Sequence, residues 1–60
     1  MLMNLKKLRE EKGVTQKQLA DVIAVSQQSI NKYENHNIEP DISTLIKMAE
    51  FFDTSVDYII

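Results

Sequence analysis

In this chain of 60 residues the side chains best suited to recognition chemistry are the carboxamides and ammonium of Gln27, Gln28, Asn31 and Lys32. Stepped about 100° per residue, a helix from Gln27 to Glu34 turns Ile30 and Tyr33 inward. Gln28, Asn31 and Lys32 then lie opposite, with Gln27 and Ser29 at the margins. Glutamine and asparagine pair bidentately with adenine N6 and N7, and an ammonium reaches guanine O6 and N7, so this face has the donors and acceptors to read base edges in a major groove. An ordinary solvated face would draw instead on Glu and Lys at i,i+4 spacing.

Catalysis has fewer footholds. His36 is the only histidine and no cysteine is present, so nothing stands at metal-ligand spacing beside it. The neighbouring pairs Glu10 with Glu11 and Asp53 with Asp57 read as solvated or helix-end charges. Gly13 stands alone and cannot form a phosphate-cradling glycine loop. The expectation is a binding protein with no enzymatic activity, cofactor or metal.

The elements that must carry this face follow from apolar spacing, which is helical throughout and contains no alternating β-type run. An all-α fold of five helices is expected. A first helix over about 4–12 buries Leu5 and Leu8 and stops at Gly13. Thr15 and Gln18 have the form of a capping box, and Val14 and Leu19 are spaced as a hydrophobic staple. A second helix therefore starts at Gln16, buries Leu19, Ala20 and Ile23, and yields at Ala24 and Val25. Ser26 restarts it, with Val25 and Ile30 repeating the staple spacing. Two short helices joined by so short a turn make a helix-turn-helix over about 16–34.

A polar loop follows, from Asn35 through His36, Asn37, Ile38 and Glu39 to Pro40, and Asp41 caps the next helix. Over 42–52 that helix places Ile42, Leu45, Ile46, Ala49 and Phe52 on one face and is expected to be the largest contributor to the core. Asp53, Thr54 and Ser55 turn the chain into a last short helix over 56–60. No repeat, linker or low-complexity stretch interrupts this, so residues 1–60 form a single domain.

Composition sets the outer bounds. Without cysteine there are no disulfides, and the small domain must rely on its apolar core. Residues 1–12 mix charges with leucines and lack the apolar run of a signal peptide, and no stretch approaches a membrane span, so cytoplasmic residence is expected. The formal charge is −2, but residues 1–20 carry +3, 21–40 carry −2 and 41–60 carry −3. One end is basic and the other acidic.

Taken together, the pattern TQ-x-x-LA at 15–20, VSQQSI at 25–30, YEN at 33–35 and EPD at 39–41 resembles the helix-turn-helix family of the lambdoid phage repressors and Cro proteins, also called the Xre family. The resemblance runs from Leu5 to Ile60 and implies a compact lambda-repressor-like domain that binds double-stranded DNA as a transcriptional regulator of the repressor kind. On that reading Gln27, Gln28 and Lys32 align with base-reading positions, and Asn31 either reads a base or orients Gln27. Ser26, Ser29 and Asn35 align with positions that bind backbone phosphates, and Gln16 and Lys17 join them at the start of the preceding helix. Arg9 and Glu34 fall where the family often forms an internal ion pair. Repressors of this type dimerise on operators whose half-sites lie one turn apart, and Tyr58, Ile59 and Ile60 are candidates either for that contact or for burial within the monomer.

Three departures from the pattern bear on affinity. Ala24 stands where the family usually has Gly, at a cost of about 1 kcal/mol if the backbone there is left-handed. His36 likewise replaces a usual Gly. Asn37, Ile38 and Glu39 lack the cations that relatives direct at phosphate, so about three to five phosphate contacts per subunit are expected, each worth about 0.9 in the log-log salt slope. Two other functions fit the same fold: an antitoxin that binds both DNA and a toxin partner, and a protein-interaction module that has lost DNA binding. A sensor domain is a further possible partner.

Overall fold

The computed structural model describes residues 4–36 and 38–60. Met1, Leu2, Met3 and the loop residue Asn37 lie outside the described residues. The fold is all-α, with α1 at Leu5–Lys12, α2 at Gln16–Ile23, α3 at Gln27–Asn35, α4 at Ile42–Phe52 and α5 at Val56–Ile59.

Each helix begins and ends for a local reason. Gly13 closes α1 in the left-handed conformation at φ 75°, where a residue without Cβ is unstrained. The Thr15 hydroxyl accepts from the Gln18 amide at 3.0 Å and the Gln18 side chain accepts from the Thr15 amide at 2.8 Å, completing the capping box. Ser26, Asp41 and Ser55 cap α3, α4 and α5 through bonds from the amides of Ser29, Thr44 and Tyr58. Hydrogen bonds from Thr44 and then Ser43 hold the Asp41 carboxyl below the usual carboxylate range. Asn4 makes no side-chain cap on α1. Its backbone amide donates to Ile59 O at 3.2 Å and its carboxamide to Tyr58 O, tying the start of α1 to α5.

The core comprises Leu5, Leu19, Ile23, Ile30, Met48 and Ile59, all fully buried, together with Ala20 and Ala49. Leu8, Tyr33, Leu45 and both phenylalanines pack half-buried around it. Lys12 sits 4.9 Å over the Phe51 ring, attaching the end of α1 to α4.

Two sequence expectations need correction here. α4 turns Leu45, Met48, Ala49 and Phe52 inward, while Ile42 is 73% exposed and Ile46 is 47% exposed. Relative to the expected face, the buried stripe is rotated by about 45°. Seven of its eleven residues are apolar, so hydrophobic spacing admits more than one stripe, and packing against the other helices selects among them. α4 is also not the largest contributor to the core: α2 supplies three buried residues against its two. At the C-terminal end, Ile59 is buried within the monomer, leaving Tyr58 and Ile60 exposed.

Candidate nucleic-acid interface

α2 and α3 meet at the Ala24 turn. Ala24 adopts φ 61° and ψ 44°, a left-handed conformation rare for a residue with a Cβ, and the Val25 amide donates to Ala20 O at 3.0 Å to close α2. Ile30 locks α3 onto the core through its buried face. Gln27, Gln28, Asn31, Lys32 and Asn35 are consequently exposed along the opposite side.

Three of these five come together with a residue of the preceding helix. Gln16, Gln27, Gln28 and Asn31 line one open cleft of about 270 Å³ where the start of α2 meets α3. Lys32 lies on the same helix outside that cleft. A larger trough of about 620 Å³ runs along α1, but its walls are Lys6, Lys7, Glu10 and Glu11, exposed side chains of opposite charge at i,i+4 spacing on one helix.

The remaining polar residues are arranged as follows. Ser26 Oγ accepts from the Ser29 amide and lies 2.9 Å from Ser29 Oγ, so both hydroxyls cluster at the first turn of α3. Asn35 donates to Asn31 O at 3.3 Å. Lys17 is 4.0 Å from Asp21 with both side chains more than 70% exposed, a pairing too solvated to hold the ammonium in place.

Behind this surface lies a buried charge network. Arg9 Nε donates to Glu34 Oε2 at 2.6 Å and its Nη2 to Glu34 Oε1 at 3.2 Å, while Nη1 donates to Val14 O at 2.9 Å. The Glu34 side chain is fully buried and Arg9 nearly so. The Glu34 hydrogen bond is the largest influence holding the guanidinium even more firmly protonated than usual. Glu34 Oε1 also accepts from Gln16 Nε2 at 3.1 Å. Sequence reasoning missed this bond, having assigned Gln16 to phosphate alone. Its only sequence signal is stoichiometric, since a buried carboxylate has about four acceptor sites and an arginine fork occupies two of them. Among the described residues no buried side-chain nitrogen or oxygen lacks a partner, and no group of three or more His, Cys, Asp or Glu could hold a metal.

Comparison with known proteins agrees with this geometry. A helix-turn-helix family model matches residues 5–59. The chain is similar to the HTH-type transcriptional regulator YqaE of Bacillus subtilis, 39% identical over 57 residues, covering 95% of this chain and 49% of that protein. It is also similar to the SPbeta prophage-derived HTH-type regulator YonR of the same organism, 38% identical, with 93% and 52% covered. A crystal structure of a transcriptional regulator from Listeria innocua superimposes with a TM-score of 0.87 at 32% identity, covering 95% of this chain and 53% of that one. The chain thus spans about half the length of the relatives it matches. With five helices, a capped α2–turn–α3 unit and a match over nearly its whole length, the chain belongs to the helix-turn-helix family of Cro/C1 (Xre) type, a family of transcriptional regulators.

Proposed function

We propose that the chain is a sequence-specific double-stranded DNA-binding domain that regulates transcription as a cytoplasmic repressor, without catalysis or cofactor. The observation that carries this reading is the convergence of Gln16, Gln27, Gln28 and Asn31 on one cleft at the α2–α3 junction. A helix of the width of α3 fits the roughly 12 Å major groove. Gln27, Gln28, Asn31 and Lys32 would then meet base edges, and Gln16, Lys17, Ser26, Ser29 and Asn35 would meet flanking phosphates. The Arg9–Glu34 pair has a structural role, fixing α1 against α3. Repression needs only occupancy of a promoter, so reversible binding is sufficient chemistry.

The exposed Ile42 and Ile46 favour a second reading alongside the first, in which the domain also docks a protein. That protein would be a second copy bound across a two-fold operator, a toxin or a sensor domain. Selection of bound duplexes from a randomised library of about 30 base pairs at low salt tests both readings. Enrichment of inverted half-sites one turn apart is the expected outcome. A single half-site would mean monomeric binding or a missing dimerisation segment, and no enrichment would leave the protein-interaction module.

A further inference from the structure

We infer that Glu34 is a positioning residue for the DNA interface, setting the orientation of the Gln16 carboxamide so that one N–H is held inside the protein and the other is offered to a DNA phosphate. This rests on the DNA-binding reading above.

The argument begins with the chemistry of the partners. A side-chain amide carries two donor hydrogens and one carbonyl, and its two ends are close in size, so an exposed glutamine turns freely between two orientations. Gln16 cannot. Its Nε2 lies 3.1 Å from Glu34 Oε1, and an ionised carboxylate only accepts, so the NH2 end must face Glu34 and the carbonyl must face away. The reversed orientation would set a carbonyl oxygen against a carboxylate oxygen. Glu34 is itself immobilised, because its side chain is fully buried and both oxygens take bonds from Arg9 at 2.6 and 3.2 Å. Arg9 also compensates its charge, so the carboxylate can stand behind a phosphate-binding surface without repelling phosphate. The second Gln16 N–H remains for an acceptor at the cleft that Gln16 shares with Gln27, Gln28 and Asn31. An N–H already polarised by a carboxylate and fixed in direction meets an anion with little ordering left to do.

Glu34→Gln tests this because it keeps the shape and can still accept from Arg9, yet its amide tolerates either orientation of Gln16. The first measurement is NMR of the Gln16 side-chain amide in the free protein. One Nε2 proton shifted downfield of the exposed-glutamine value and slow to exchange is expected in the wild type, returning to the values of exposed glutamines in Glu34→Gln. Free-glutamine values already in the wild type would overturn the inference without any variant. The second measurement is a binding cycle on the selected duplex at a temperature where circular dichroism shows every variant folded. Glu34→Gln is expected to weaken binding by about three- to tenfold, the range of one hydrogen bond, and to add less than about twofold in a Gln16→Ala background. Equal losses in both backgrounds would overturn it, since a purely structural role for Glu34 does not depend on Gln16. If the wild type binds no duplex while the NMR signature is intact, it is the DNA-binding reading that fails and not the coupling of Glu34 to Gln16.

Discussion

Around α3 the exposed side chains are amides, hydroxyls and one ammonium, and the buried Glu34 carboxylate takes bonds from both Arg9 and Gln16. Around α4 two isoleucines, Ile42 and Ile46, stand in solvent at 73% and 47% exposure, and the inward-facing Leu45, Met48, Ala49 and Phe52 are apolar side chains packed in or against the core. The α3 side is anchored by directional bonds at Glu34, while left-handed non-glycine residues end both α2, at Ala24, and α4, at Asp53. The α4 side is held by non-directional burial and leaves apolar surface uncovered. Directional bonding fixes where individual atoms point. Apolar burial fixes only that a face is covered, so a surface such as that of Ile42 can change partner at little cost to the monomer.

Substitutions on the two sides should separate accordingly. Arg9→Ala leaves a fully buried carboxylate without its cation and should cost about 3 kcal/mol of folding stability, measured by urea denaturation. A loss below about 1 kcal/mol would mean that water or a repacked neighbour replaces the guanidinium. Next in size, Gln28→Ala should cost about 1 to 3 kcal/mol of binding on the preferred duplex only, whereas Lys17→Ala should weaken selected and random duplexes alike. Equal losses for the glutamine change on both duplexes would remove it from base reading. Ala24→Gly should stabilise the fold by about 1 kcal/mol, seen as a rise in melting temperature of roughly 5 °C for a domain this small. Smallest of all, Ile42→Ser should change monomer stability by less than about 0.5 kcal/mol. If the same change abolishes association in sedimentation while leaving stability intact, the exposed face is an interface.

What could be read from the sequence follows the same division. Caps are local: Thr15 with Gln18, Ser26, Asp41 and Ser55 each need only three residues of context, and helix starts were therefore legible to the residue. The polar face of α3 was legible because Ile30 is the one strongly apolar residue early in that helix, leaving a single rotation that buries it. α4 offers no such asymmetry. Its stripe depends on α1, α2 and α5 packing around Met48, which no period within one helix encodes. The Gln16 bond to Glu34 was hidden for a related reason, since it joins residues 18 apart whose proximity exists only once α2 and α3 have packed against each other. The resemblance to a known family supplied roles for Gln16, Ser26 and Asn35 that local pattern alone did not.

The Asn4 bonds to Ile59 O and Tyr58 O bring the start of α1 to the end of α5. In architectural terms Asn4 and Ile59 stand at one doorway. Sequence fused before Asn4 and sequence fused after Ile60 would start as neighbours, so the domain can be set into a surface loop of a host protein without either flank crossing its body. For the same reason a chain permuted by a short bridge between those flanks, and reopened in the loop between α3 and α4, would keep the α2–turn–α3 unit unbroken.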